Sequence, residues 1–176
     1  CGSPFTAPSG KVYNTAAYSN ANLTGLCWTT TNLQEAGYSA TCYSNNCGTY
    51  PTRGYYYTPG ANPDNACAAL NSGGNTWRVP TATEWGYLQT AFPSLAAGIG
   101  TTGNTAALQA EWNSLANMTG RFDSDTGPTW VGWGDVSFYF VQGTSGFHYI
   151  FNKDATTFSG RSDVNSWCPV RCVRSL

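Results

Sequence analysis

Apolar residues recur at helical spacing through the middle of the chain and gather, from residue 129 on, into short stretches broken by glycine. Trp85, Leu88 and Phe92 fall on one helical face. Thr81 follows Pro80, and Glu84 stands three residues later. This T-x-x-E spacing predicts a capping box, with the Thr81 hydroxyl accepting from the Glu84 N–H and the Glu84 carboxylate reaching back to the Thr81 N–H. A helix is therefore predicted over 81–92, stopping before Pro93. An earlier helix is predicted over 63–71, with Asn62 as N-cap, Pro63 at the first helical position and Gly73-Gly74 at its end. A third, TAALQAEWNSLA over 105–116, would follow an Asn104 cap and align Leu108, Trp112 and Leu115.

Strand signals flank these helices. Short strands are predicted over 11–15 and 26–33, with Trp28 inside, and an edge strand over 54–59 ends at Pro59. Strands over 129–133, 136–142, 147–151 and 169–174 are separated by glycine-containing turns. One parity puts Val131, Phe138, Phe140, Val170 and Cys172 in the core and leaves Trp130, Ser137, Tyr139 and Gln142 to solvent or a partner; the pattern leaves the parity itself open. Residues 117–128 read as a loop, and residues 1–9, CGSPFTAPS, as a flexible tether before a single domain over 10–176.

Composition narrows the function classes. The chain has 176 residues, enough for one domain with a real core. With a formal net charge of −1 and only 10% charged residues, nucleic acid is not an expected partner. The polar residues are mainly Thr, Ser, Asn and Gly beside abundant Tyr and Trp, a mixture shared by extracellular binding surfaces. Seven cysteines point to an oxidising compartment. No apolar run approaches the roughly 18 residues of a membrane span. Cys1 reads either as the lipid-bearing first residue of a processed bacterial lipoprotein, the one expected route to a membrane, or simply as the place where this sequence starts.

Four stretches carry a family resemblance: GKVYNT (Gly10 to Thr15), CWTTTNL (Cys27 to Leu33), WRVPTATEW (Trp77 to Trp85) and PVRCVRSL (Pro169 to Leu176). Together and in this order they resemble the Fibrobacter succinogenes major paralogous domain, a bacterial surface and secreted module. WRVPTATEW also resembles the R-[LV]-P-T-x-x-E-W wording of formylglycine-generating-enzyme-like domains. Both resemblances imply an α+β, C-type-lectin-like fold, with two to three helices around small antiparallel sheets. They also imply pairing of the N-terminal strand with the C-terminal one, and a Cys67–Cys172 disulfide tying the first helix to the last strand. Cys42–Cys47 is then a local clip in CYSNNC, and Cys27–Cys168 the remaining pair once Cys1 is set aside. The active-site cysteine pair of the enzyme relatives is not carried over, because these cysteines are accounted for as structural bridges.

No nucleophile–base constellation points to an enzyme. His148 is the only histidine, so a triad would need a freely chosen serine. Asn62-Pro63-Asp64 is a helix start rather than a sugar-binding motif. Cys168 and Cys172 lack the second ligand pair of a zinc site. Asp123 and Asp125 alone fall short of the roughly six to eight oxygens of a calcium loop. No cofactor or metal is predicted. In lectin-like folds the ligand surface lies before the final strand, the place occupied here by Trp130 to Trp167. Within it Trp130, Trp133, Asp135, Tyr139, Phe147, Tyr149, Arg161, Asp163 and Asn165 mix flat rings with planar hydrogen-bonding groups, as carbohydrate and protein sites do. The expectation is a bacterial surface adhesin or ligand-binding module for a glycan or a host or cell-surface protein. The alternatives are a structural subunit of a pilus or fibre and a secreted polysaccharide-active enzyme or accessory domain.

Overall fold

The computed structural model describes residues 1–18, 21–37, 40, 55–58, 63–91, 121–123, 129–131, 136–143, 147–152, 159–162 and 166–176. The first elements form around a Pro-Ser-Gly turn. Strand β1 (Phe5–Thr6) pairs antiparallel with β2 (Val12–Tyr13). Gly10 takes φ +84° between them, and its N–H donates to Ala7 O at 2.8 Å; a side chain would be strained in that left-handed region. Val12 is exposed and Tyr13 buried, the alternation of a half-buried strand.

Residues 1–9 are therefore not a free tether. Besides β1, they hold a Cys1–Cys27 disulfide, and Thr15 Oγ1 donates to Ser3 O at 2.8 Å while accepting from the Gly2 N–H at 3.1 Å. A two-residue strand has no periodicity to betray it, and cross-chain bonds leave no local trace. The Cys27–Cys168 pairing is corrected with it: Cys27 bonds Cys1, and Cys168 is a buried cysteine outside that bridge. In this structure the Cys1 sulfur is taken up by its bond to Cys27. Cys67–Cys172 is formed as expected. Cys42 and Cys47 lie outside the described residues.

The base of the molecule is a three-stranded sheet. Its centre is β4 (Leu26–Thr29), flanked by β3 (Thr15–Ala16) on one side and by the last strand, Val173–Ser175, on the other. Cys27, Trp28 and Thr29 are all buried, so β4 is covered on both faces. The N- and C-terminal regions thus close on each other through β4, with Val173 opposite Trp28 and Ala16 opposite the same Trp28. Arg78 extends the row, exchanging backbone bonds with Val173 at 2.9 and 2.8 Å. A buried polar knot fixes the strand after it. Glu35 Oε1 accepts from Ser9 Oγ and Tyr13 OH, both at 2.8 Å, and Glu35 O accepts from Tyr57 OH at 2.8 Å. Burial, reinforced by Glu35, pushes both the Tyr13 and Tyr57 phenols well above their ordinary range.

Strand β5 (Tyr56–Tyr57) is followed by Pro63–Leu70, which winds as a 3-10 helix where an α-helix was predicted. It still buries Ala66, Cys67 and Leu70. Gly73 and Gly74, at φ +57° and +82°, turn the chain back, and Asn75 N–H donates to Ser72 O at 3.0 Å. Helix α1 (Ala82–Ala91) starts where the capping box placed it, with Trp85 and Leu88 fully buried; Phe92 and the 105–116 helix lie outside the described residues.

The later strands form two further sheets. β6 (Arg121–Asp123), β7 (Thr129–Val131) and β11 (Ser166–Pro169) join β5 in the order β5-β11-β6-β7. β8 (Val136–Phe140), β9 (Phe147–Asn152) and β10 (Ser159–Ser162) form a sheet in the order β10-β9-β8. Val173–Ser175 is β12. β6 corrects the predicted 117–128 loop, and β10 was not predicted. The described chain is thus an α+β arrangement of small antiparallel sheets and short helices, stapled by two disulfides among the described residues.

Candidate functional site

The 129–167 segment is rooted in the scaffold at its β8 end. Thr81 caps α1: Glu84 N–H donates to Thr81 Oγ1 at 3.2 Å and Thr81 N–H to Glu84 Oε2 at 2.8 Å. The same carboxylate takes the Arg78 guanidinium in a two-pronged bond, one prong at 2.7 Å. Burial alone would push the Glu84 carboxyl up, but the Arg78 and Thr81 donors and the Arg78 charge outweigh it and hold the carboxyl below its ordinary value. The cap fixes the Arg78–Glu84 stretch, and that stretch grips β8: Gln142 N–H donates to Pro80 O at 2.8 Å, and Trp85 Nε1 donates to Phe140 O at 3.2 Å.

An aromatic stack completes the anchor. The Tyr139 ring lies on Trp85 at 5.0 Å, and Trp85 meets Trp28 edge-on at 5.3 Å. Arg171 is fully buried, and its guanidinium stands 5.6 Å from the centre of the Tyr139 ring. Its Nε donates to Asn32 Oδ1 at 2.6 Å and a terminal nitrogen donates to Thr29 O at 3.1 Å. Those two bonds and the aromatic face beside it offset part of the cost of burying the guanidinium. Tyr18 closes the group against Trp28; burial pushes its phenol up to about 12, with Arg171 pulling the other way.

Tyr139 is therefore not a ligand contact. It was expected on the outer face, yet Tyr139 and Phe140 are both fully buried, as β8 enters the core at this end and is covered on both sides. Val170 and Cys172 are core as predicted, and Gln142 is half-buried. The register divides the other candidates. Tyr139, Tyr149 and Gly160 stand in one row across β8, β9 and β10, and Phe140, His148 and Arg161 in the next. Phe147, opposite Ser162, shares the register parity of Tyr149, whereas Arg161 has the opposite parity. Trp133, Asp135, Asp163 and Asn165 lie outside the described residues.

Trp130 falls in a row that sequence reasoning missed. It stands opposite Phe122 of β6, and Phe122 stands opposite Trp167 of β11. Three aromatic residues thus occupy one register row of the β5-β11-β6-β7 sheet. The signal was hidden because Phe122 sat in the presumed loop, and no alternation marks RFD as a strand. Asp123 belongs to the same strand, while Asp125 lies outside the described residues. Among the described residues, no group of three His, Cys, Asp or Glu stands close enough to hold a metal ion.

No known family, curated protein or solved structure matches the chain. The two disulfides point to an oxidising environment. No helix among the described residues is long and apolar enough to cross a membrane.

Proposed function

We propose that this chain is an extracellular ligand-binding module of C-type-lectin-like type, akin to the Fibrobacter succinogenes major paralogous domain. Its place is the bacterial surface, and its ligand is a glycan or a cell-surface protein taken by the 129–167 segment. The observation that carries the reading is the Trp130–Phe122–Trp167 row, with Trp167 half-buried. Flat rings in a row suit the C–H faces of sugars and equally the hot spots of protein recognition. Support also comes from the rigid footing of the segment. A disulfide-stapled base and the Arg78–Glu84–Trp85 grip fix the β8 end of the segment, which lowers the cost of ordering that end at binding.

The test is binding of the soluble chain to an array of glycans and host-surface proteins. A specific hit should weaken at least about tenfold in Trp130→Ala and in Trp167→Ala. A hit indifferent to both variants would move the site off this segment. Silence across the array would bring forward a structural role in a surface fibre.

A further inference from the structure

Two of the stretches singled out by sequence, GKVYNT and CWTTTNL, meet at a cleft. The cleft holds about 320 Å³ and is lined by Gly2, Ser3, Pro4, Asn14, Thr15, Thr30 and Thr31. That is the low end of small-molecule pockets, roughly 300–1,000 Å³, and room for about ten waters. Its walls are fixed. Thr30 N–H donates to Asn14 O at 2.8 Å, joining the two stretches. The 2–4 arm is held by the Cys1–Cys27 bond and by both hydrogen bonds of Thr15 Oγ1.

The TTTN run divides its labour. Thr29 and Asn32 turn to Arg171 and the last strand, with Thr29 Oγ1 accepting from Cys172 N–H at 3.0 Å. Thr30 and Thr31 line the cleft instead. Thr31 Oγ1 is shut off from solvent and has no hydrogen-bond partner. An orphaned hydroxyl of this kind is unfavourable in the resting chain. Because Thr31 lines the cleft, a turn of roughly 120° in χ1 that carries the hydroxyl out of its buried position is the route by which it would meet an occupant.

We infer that this cleft is a binding site for an uncharged, polyhydroxylated ligand, a neutral saccharide. None of its described lining residues is charged, so an ionic ligand would lose its hydration with no opposite charge in return. Hydroxyls and a side-chain amide each donate and accept, which matches the dual character of sugar hydroxyls. An occupant also supplies the partner that Thr31 lacks. None of the described lining residues belongs to the 129–167 segment, and the inference does not rest on the reading of that segment.

The experiment is a titration of the ¹⁵N-labelled, disulfide-intact chain with neutral mono- and disaccharides, with glycerol and a sugar phosphate as separate arms. Saturable shifts at the amides of Asn14, Thr15, Thr30 and Thr31 with at least one neutral sugar are expected. Thr31→Val should weaken that binding at least tenfold while leaving Tm unchanged or higher, because the hydroxyl it removes has no partner in the free chain. Trp130→Ala and Trp167→Ala should leave it unmoved. No saturable shift from any neutral sugar would overturn the inference, as would shifts that glycerol reproduces without saturation, or tighter binding of the sugar phosphate. A Thr31→Val chain that binds normally but melts lower would show a structural hydroxyl and overturn it too.

Discussion

One carboxylate, Glu84, closes the cap of α1 and at the same time holds Arg78. Its side chain is 14% exposed and that of Arg78 32%, so the pair is only partly screened by water. Glu84→Gln keeps the shape and the acceptor but loses the charge. It should lower stability by about 1–3 kcal/mol, read by chemical denaturation. The folded carboxyl titrates below its unfolded value, so its contribution is complete above the unfolded pKa and fades as pH falls through the folded one. The difference between wild type and Glu84→Gln should therefore shrink on acidification below the ordinary carboxylate range; a difference that stays constant would exclude the ion pair as its source. The cap was legible because T-x-x-E is a local pattern. The grip of Arg78 was not, since it reaches Glu84 around Pro80 and its meaning depends on β12 beside it.

At the scale of elements, α1 and β8 share one ring stack, and that stack is the root of the later sheet. Trp85→Ala would remove the partner of Tyr139 and of Trp28 and leave Phe140 O without its indole donor. A cost of about 3–5 kcal/mol is expected, as for other large-to-alanine changes in a core. Hydrogen exchange should quicken first at the amides of β8, ahead of β4. Uniform loss of protection would mean that β8 has no separate footing. The sequence showed α1 plainly, since Trp85 and Leu88 recur at the helical period. It showed β8 and β9 through their apolar runs. It hid β6 and β10: RFD is too short to alternate, and SGRS has no apolar residue at all, so each is a strand only because a neighbour pairs with it. The inward place of Tyr139 was hidden for another reason. Alternation assumes one wet face, and β8 is covered on both faces where it meets α1 and Arg171.

For the whole molecule, the two bridges act at different depths. Cys67 and Cys172 are both fully buried and close a separation of 105 residues, whereas Cys1 is exposed and its bond to Cys27 closes 26. Attack on a disulfide needs access to its sulfur, so mild reductant should open Cys1–Cys27 in the folded chain and leave Cys67–Cys172 until the core opens. Alkylation at intervals, followed by peptide mapping, should find Cys1 and Cys27 modified first. Cys67, Cys172 and the buried Cys168 should then appear together. Losing the outer bridge frees the 2–4 arm, but β3, β4 and β12 remain paired, so Tm should fall less than in Cys67→Ala/Cys172→Ala, where about 2–5 kcal/mol is at stake. The larger entropy of the longer loop points the same way. Early modification of Cys168, with Cys1 still bridged, would instead mean that β11 opens before the N-terminal arm. The core would then be looser than the N-terminal arm, and the rigid footing proposed for the 129–167 segment would be lost with it.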